Sequence, residues 1–198
     1  DQLQLGFLKV LNGAGISEEA KEYGIVCSSR PPYEVLKTKW LTFDEILRLK
    51  EIETVVEIYY NSLQFSETIR KLEEFFKSPF DMYERLGRYY KKYSAGGLKH
   101  SRVNRYVLLL DFIMEELNLT EEDSFAWKEL LTLDFYLREN AKTRPVFAKS
   151  LEDSKKKIHK IYCHPQLKQK LKNYVNYSSK QIEHMTHIEV LKGRYILF

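Results

Sequence analysis

An apolar stripe with helical spacing, which starts shortly after Thr42, constrains the fold of this chain more than any other feature. Thr42 is followed three residues later by Glu45, the pattern of a capping box at the start of a helix. Apolar residues then recur every three or four positions, which places them on one face of a long helix. These residues are Ile46, Leu49, Ile52, Val56, Tyr59 and Leu63.

Similar signals predict further helices along the middle of the chain. We expect Ser66 to cap a second helix and Pro79 to break the chain after it. A third stripe runs from Phe80 to Tyr93, and Gly96 and Gly97 are its stop signals. Together with the helix that follows the first glycines of the chain, these segments place helices over most of the first hundred residues.

The second half continues the helical pattern with one ambiguous stretch. Apolar residues between Val103 and Leu117 indicate a helix with a broad apolar face, which we expect to be central. Thr120 and the acids after it predict the cap of a helix that carries Trp127. Pro165 is expected to open a short helix. Residues 144–164 favour neither helix nor strand.

The two ends of the chain have strand-like patterns. "LQLGFLKVLNGAG" (3–15) reads as an apolar strand that enters a Gly-X-Gly turn, and "GIVCS" and "YEVLKT" flank Pro31-Pro32. "HIEVLKGRYILF" predicts a hairpin around Lys192-Gly193. The predicted fold class is therefore mainly α: a multi-helix domain of five to seven helices with short β-strands at both ends.

Composition excludes several classes of protein. No apolar run approaches the ~18 residues of a membrane span, and two cysteines, Cys27 and Cys163, do not suggest a disulfide scaffold. We therefore expect a cytoplasmic protein without membrane contact. Because the chain has 14 Tyr and 11 Phe, we expect a core in which buried tyrosine hydroxyls have partners. The chain begins with Asp rather than Met, so we expect a processed chain or a piece of a longer one.

Positive charge concentrates in one segment of the second half. Ten of the 32 Lys and Arg residues lie between Lys142 and Lys172, against only two acids, Glu152 and Asp153. An anion is the natural partner of such a segment, although no recognised nucleic-acid reader motif accompanies it, which argues against nucleic acid. A solvated helix face is the structural alternative. The candidate anion-binding residues are Lys155, Lys156, Lys157 and Lys160.

No catalytic or metal-binding motif is complete in this chain. His159 and Cys163 are four residues apart, the spacing of one helical face, but the pattern does not recur as a paired ligand motif. G-x-S-x-G is absent. Gly13 and Gly15 follow a predicted strand, but Glu18 occupies the place of the third glycine of a dinucleotide-binding fingerprint. We therefore assign no catalytic residue and no metal ligand.

Three segments resemble a known family. "LQLGFLKVLNGAG", "YGIVCSSRPPYEVLKTKWLTF" and "IETVVEIYYNSLQF" are similar to the C-terminal part of bacterial cobalamin-binding radical SAM proteins. Those proteins are often described as oxidative cyclases of magnesium-protoporphyrin IX monomethyl ester or as Fe-S oxidoreductases. The specific similarity covers roughly the first third of the chain. Beyond Phe65 only the helical pattern is shared.

The resemblance implies a division of the chain and a set of missing partners. Residues 1–24 would be the last βα unit of a radical SAM barrel, and residues 25–198 a helical accessory domain. The C-x-x-x-C-x-x-C and D-x-H-x-x-G motifs of the family are absent, so this chain would hold no cofactor itself. The parent protein would bind a [4Fe-4S] cluster, S-adenosylmethionine and cobalamin in its N-terminal cobalamin-binding and radical SAM domains.

The resemblance also suggests roles for the front strand. Side chains near the ends of barrel strands face the substrate, so Gln4, Lys9 and Asn12 are the substrate-side candidates in the intact protein. Exposed polar residues on a strand are the alternative. Because the backbone of an orphan strand must find hydrogen-bond partners, we expect it to pair with another short strand, to pair with a second copy of the chain in a dimer, or to fray.

Three functions remain open from the sequence. The first is an accessory domain of a cobalamin-binding radical SAM enzyme, which shapes the substrate side of the barrel or holds a partner and is not catalytic by itself. The second is a stand-alone helical module that binds other proteins through its Tyr-rich helices. The third is anion or nucleic-acid binding through residues 142–172.

Overall fold

The computed structural model describes residues 2–11, 13–93, 101–139 and 143–198. The chain divides into two compact units, Asp1–Leu108 and Leu109–Phe198. Across the described ranges the structure has nine α-helices, so the predicted mainly α class is confirmed and the expected five to seven helices were too few. The helices are α1 (Gly15–Glu19), α2 (Phe43–Val56), α3 (Ser66–Glu73), α4 (Pro79–Tyr93), α5 (Arg102–Glu116), α6 (Phe125–Arg138), α7 (Lys155–Cys163), α8 (Pro165–Lys170) and α9 (Ser179–Met185).

Two short antiparallel sheets lie at the predicted ends of the chain. In the first unit, β1 (Val26–Cys27) pairs with β2 (Val35–Lys37). In the second unit, β3 (Ile188–Leu191) pairs with β4 (Arg194–Leu197). Lys192 and Gly193 both have positive φ, +48° and +71°, which is the backbone of a two-residue type I′ hairpin turn. The strand predictions at "GIVCS", "YEVLKT" and the C-terminal hairpin are therefore confirmed.

Helix α2 starts as predicted and ends earlier than predicted. The Thr42 side chain accepts a hydrogen bond from the Glu45 amide while the Glu45 carboxylate accepts one from the Thr42 amide, which completes the capping box. After Val56 the chain forms a single π-helical turn, Glu57–Asn61. A π turn contains an extra residue, which rotates the following side chains away from the stripe. Leu63, expected on the buried stripe, is instead 45% exposed.

Several helix starts differ from the prediction. Ser66 is the first residue of α3 rather than its cap, because the N-cap position is held by Phe65. Pro79 opens α4 instead of only ending the preceding segment, as its fixed φ and missing N–H allow at a first helical position. Ser124 holds the N-cap of α6, and Thr120 instead closes a preceding turn by accepting a hydrogen bond from the Asp123 amide at 3.2 Å.

Helices α2 and α4 form the main packed pair of the first unit. A Cβ atom placed on Gly87 of α4 would lie 3.2 Å from the carbonyl carbon and oxygen of Glu51 on α2. The glycine therefore lets the two backbones approach closely. The predicted stop signals of α4, Gly96 and Gly97, lie outside the described residues.

Aromatic rings fill the core of the first unit, and two of the buried tyrosine hydroxyls have partners, whereas that of Tyr83 has none among the described residues. The Phe65 ring lies 4.9 Å from Tyr59 and 4.4 Å from Tyr106, between ring centroids. The Tyr59 hydroxyl donates to the carbonyl oxygen of Arg105 at 3.2 Å, and the Tyr106 hydroxyl donates to that of Gln64 at 3.4 Å. The expectation of a tyrosine-rich core with satisfied hydroxyls is confirmed at these two positions.

The front segment of the chain lies against the first unit. Lys9 forms a single antiparallel bridge with Glu34, flanked by hydrogen bonds from the Val35 amide to the Leu8 carbonyl at 2.8 Å and from the Val10 amide to the Tyr33 carbonyl at 3.2 Å. The predicted strand at residues 3–11 does not form, and the segment instead pairs through this one bridge with the residues at the start of β2.

Residues 144–164, for which the sequence favoured neither helix nor strand, lie in the second unit and include a helix. Residues 155–163 form α7, which packs against α9. Tyr162 of α7, Ile182 of α9 and Ile188 of β3 form the buried centre of one hydrophobic cluster in this unit. The other apolar residues that pack on the centre are half-buried: Ile158, Ile161, Leu167, Leu171, Tyr174 and Leu197.

Candidate functional site

A buried carboxylate stands at the centre of the candidate site, in the second unit. The Glu189 side chain on β3 is only 2% exposed. The guanidinium of Arg144 donates from Nε to Oε1 at 2.7 Å and from Nη2 to Oε2 at 2.9 Å. Two parallel hydrogen bonds of this kind fix the geometry of the pair and are stronger than neutral ones. Arg144 also donates to the carbonyl oxygen of Lys149 at 2.6 Å.

His187 is the second partner of this carboxylate. Its Nε2 lies 2.7 Å from Glu189 Oε1. Because alternate residues of an extended chain lie on one face, the His-Ile-Glu order brings the two side chains together. The Tyr136 ring of α6 stacks on the imidazole at 4.3 Å between centroids and 19° between planes. Phe198, which pairs with His187 through both backbone hydrogen bonds, lies 5.3 Å from Tyr136.

The electrostatics of the cluster keep Glu189 ionised. Burial acts to raise the pKa of its carboxyl group, but the hydrogen bonds from His187 and Arg144 outweigh burial and the net pKa is lowered. Burial and the negative charge of Glu189 raise the pKa of Tyr136 to about 12. Desolvation opposes the charge of Arg144, yet its contact with Glu189 gives a net increase in the pKa of the guanidinium.

Two clefts border the cluster, and His187 lines both. The first has a volume of about 560 Å³, and its lining includes Arg144, Lys155, His159, Glu183 and His187. The second has a volume of about 860 Å³, and its lining includes Tyr136, Arg138, Glu139, His184 and His187. The first cleft thus brings cationic and titratable groups together beside a carboxylate–imidazole pair. Such a pair orients the imidazole for accepting a proton or an anion.

The four lysines predicted to bind anions all lie in the first two turns of α7. Lys155 lines the first cleft and forms an ion pair with Glu152 at 2.6 Å. Lys156, Lys157 and Lys160 are exposed. The structure thus places the four residues on one helix, with one of them at the cleft.

The substrate-side candidates belong to the first unit. Gln4 is exposed and lines a groove of about 350 Å³ whose other walls include Glu53, Thr54 and Asn61. Lys9 is the exposed bridge residue opposite Glu34. Asn12 lies outside the described residues. Of the three candidates, the structure therefore places one in a groove and one in the bridge.

Neither a metal site nor a membrane span is found within the described ranges. In residues 2–11, 13–93, 101–139 and 143–198, His, Cys, Asp and Glu nowhere gather in threes in a way that could hold a metal ion. None of the helices in this part of the chain is both long enough and apolar enough to cross a membrane. Cys27 is half-buried and Cys163 is exposed, and both are free thiols.

Sequence reasoning did not single out Arg144 or Glu189, and it considered His187 only with His184, as a possible metal-ligand pair. The signal for Glu189 was an acid inside an apolar, β-branched run, where a charge is retained only if it is paired. The signal for α9 was Ser178 followed by Gln181, which forms a second capping box. No local signal marks Arg144, because its partner is 45 residues away along the chain.

The fold and site define a mainly helical protein of two units, with a carboxylate–guanidinium–imidazole cluster in the second. The chain belongs to a family described as "protein of unknown function (DUF4080)", whose model matches residues 21–196. Comparisons with curated proteins and with solved structures found no match.

Proposed function

We propose that this chain is an accessory domain of a cobalamin-binding radical SAM enzyme, which shapes the substrate side of the barrel or holds a partner. The observation that carries the proposal is the docking of the front segment, which resembles the last strand region of the barrel. The segment is held by backbone pairing of residues 8–10 with residues 33–35. A domain attached in this way would keep a fixed position at the end of that strand.

Further contacts support the docked position of the front segment. The Asn61 side chain accepts a hydrogen bond from the Leu3 amide at 2.9 Å and donates one to the Leu3 carbonyl at 2.8 Å. Lys50 of α2 pairs with Glu34 and lies 5.3 Å over the Phe7 ring. The segment is thus attached at both of its ends to the first unit.

The extent of the family match also supports the proposal. The match starts at residue 21, close to residue 24, where the implied barrel remnant ends. With two cysteines in the whole chain, the three thiolates of a radical SAM cluster would have to come from outside it. The catalytic residues and cofactors would then lie in the other domains of the parent protein. This domain would shape the substrate side of the barrel or hold a partner.

The test compares the natural gene product with this chain. Both are purified without oxygen, and iron, sulfide, cobalamin and cleavage of S-adenosylmethionine are measured. We expect the full product to bind the cluster and cobalamin and to cleave S-adenosylmethionine, and this chain to do none of these. A four-iron cluster in the 198-residue chain, or a full product without a three-cysteine loop, would reject the proposal. A natural gene that starts near residue 1 would favour the stand-alone interaction module.

A second candidate function is anion binding by α7. Three consecutive lysines occupy its first turn, where positive side chains oppose the helix macrodipole, so an anion there would relieve an unfavourable arrangement. The test is binding of a labelled single-stranded nucleic acid and of polyphosphate at low and at moderate salt. Affinity that falls with salt and with Lys156→Gln plus Lys157→Gln supports it. No binding of either probe at any salt concentration removes it.

A further inference from the structure

A second cluster of reactive groups joins α7 to α9, and two of its members, His159 and Glu183, also line the first cleft. The Cys163 sulfur is 3.7 Å from Nε2 of His159, one helical turn earlier. On the other side of the same imidazole, Nδ1 of His159 is 3.9 Å from a carboxylate oxygen of Glu183 on α9. The imidazole of His159 therefore lies between the thiol of Cys163 and the carboxylate of Glu183. This is the order of a nucleophile, its base and the group that orients the base.

The packing of α7 on α9 holds this arrangement together. Tyr162, next to Cys163 in sequence, is buried against Ile182, which precedes Glu183. Because Tyr162 of α7 and Ile182 of α9 are both buried, the two helices have a fixed position in which His159 and Glu183 face each other. The reactive side chains themselves remain accessible, since Cys163 is exposed and the His159 side chain is 68% exposed. The thiol is thus both paired with a base and open to a reagent.

The charge around the thiol is mainly positive. Lys160 is three residues and Lys156 seven residues before Cys163, the spacings of one helical face, and both lysines are exposed. The C-terminal end of α7 disfavours a negative sulfur, so the imidazole and the lysines are the groups that would stabilise a thiolate. A reagent that carries negative charge would be drawn to the same face.

We propose that Cys163 is a thiol-exchange site for anionic low-molecular-mass disulfides. The thiol proton passes to Nε2 of His159, and the sulfur attacks one sulfur atom of the disulfide RS–SR. A Cys163–S–S–R bond forms while the S–S bond of the reagent breaks. The leaving RS⁻ takes up the proton from the imidazolium. The sulfur of Cys163 is oxidised from thiol to disulfide level, and the leaving sulfur of the reagent, which is the oxidant, is reduced from disulfide to thiol level.

The test uses the full chain with Cys27→Ser, so that Cys163 is the single thiol. Two disulfides are compared at pH 7: 5,5′-dithiobis(2-nitrobenzoate), which is anionic, and 2,2′-dithiodipyridine, which is uncharged. Because the imidazole lies where it can take up the thiol proton as the sulfur attacks, Cys163 should react with both reagents about tenfold faster than the same thiol in a chain without the imidazole. His159→Gln should abolish that increase.

Two further variants separate the roles of the neighbouring groups. Lys156→Gln with Lys160→Gln should lower the rate with the anionic disulfide about threefold and leave the rate with the neutral one unchanged. Glu183→Gln should lower both rates, and Glu183→Asp should restore part of the loss, which a purely structural role would not produce. Cys27 in a Cys163→Ser chain is the matched control thiol and should react slowly.

Unchanged rates in the His159→Gln chain with both reagents would overturn the proposal. So would equal rates for Cys163 in the folded chain and in the chain unfolded in urea. Since His159 and Cys163 are exposed, loss of folding is not expected to confuse the comparison, and the thermal midpoint of each variant checks this. The proposal does not depend on the radical SAM assignment.

Discussion

At the scale of single residues, Glu189 is a carboxylate that the second unit buries almost completely. Its carboxylate is buried, and the guanidinium of Arg144 and the imidazole of His187 compensate for the lost hydration. A buried charge is stable only while such partners remain in place. The cluster therefore fixes residues 144–149 to the C-terminal hairpin, and it should be sensitive to the loss of one charge.

Replacing Glu189 with Gln removes the negative charge but keeps the size of the side chain. We expect the free energy of unfolding to fall by about 2 kcal/mol, because hydrogen bonds to charged partners are lost while Arg144, which is partly exposed, regains water. Urea unfolding at pH 7 measures the change. Glu122→Gln, at an exposed position, is the control and should have no effect. If Glu189→Gln and Glu122→Gln have the same free energy of unfolding, then the charge of Glu189 does not contribute to stability.

The same carboxylate predicts a dependence of stability on pH. Its folded pKa is lowered from the ordinary 4.5, so the folded state favours the ionised form. The contribution is complete above pH 4.5 and is lost as the pH falls through the lowered folded pKa. The stability difference between the wild-type chain and Glu189→Gln should therefore shrink as the pH falls from 5 towards 3. A difference that grows in acid would contradict the assignment.

At the scale of elements, the close contact of α2 and α4 depends on one glycine. An alanine at Gly87 would favour the helix by about 1 kcal/mol, but its methyl group would press on the backbone of Glu51 at 3.2 Å. Overpacking of this kind costs about 1 to 3 kcal/mol, so we expect a net loss of about 1 kcal/mol.

Thermal unfolding of Gly87→Ala measures the balance. Gly15→Ala in α1 is the control, because a Cβ there meets nothing within 4 Å. We expect the control to be neutral or slightly more stable. If Gly87→Ala is also more stable, then the backbones of α2 and α4 can separate without loss, and the glycine is not required for their packing.

At the scale of the whole molecule, long-range contacts hold the front segment on the first unit. Asn61 binds the backbone of Leu3, 58 residues away in sequence. Asn61→Ala should release this end, so the Leu3 amide should exchange with deuterium faster, while the Val35 amide, bound to the Leu8 carbonyl, should keep more of its protection. Asn173→Ala, in the second unit, is the control. Unchanged exchange at Leu3 would mean that Asn61 does not hold the segment.

How far the sequence could predict this protein depends on the range of the interactions. The capping box at Thr42, the hairpin at Lys192-Gly193 and the helix start at Pro165 were predicted, because each depends on residues within four positions. The end of α2 and the starts of α3 and α6 were missed. At those places tertiary contacts outweighed local preference, and boundaries are the least reliable part of such predictions.

The candidate site shows the same division. The sequence by itself determined that the chain is mainly helical with short strands at both ends. It also determined that positive charge concentrates in the segment that contains α7, and that His159 and Cys163 share a helical face. Only the tertiary structure decided that Arg144 meets Glu189 and that Glu183 meets His159. Those partners lie 45 and 24 residues apart along the chain. Periodicity reports which face a residue occupies within its own element, and it contains no information on which distant element packs against that face.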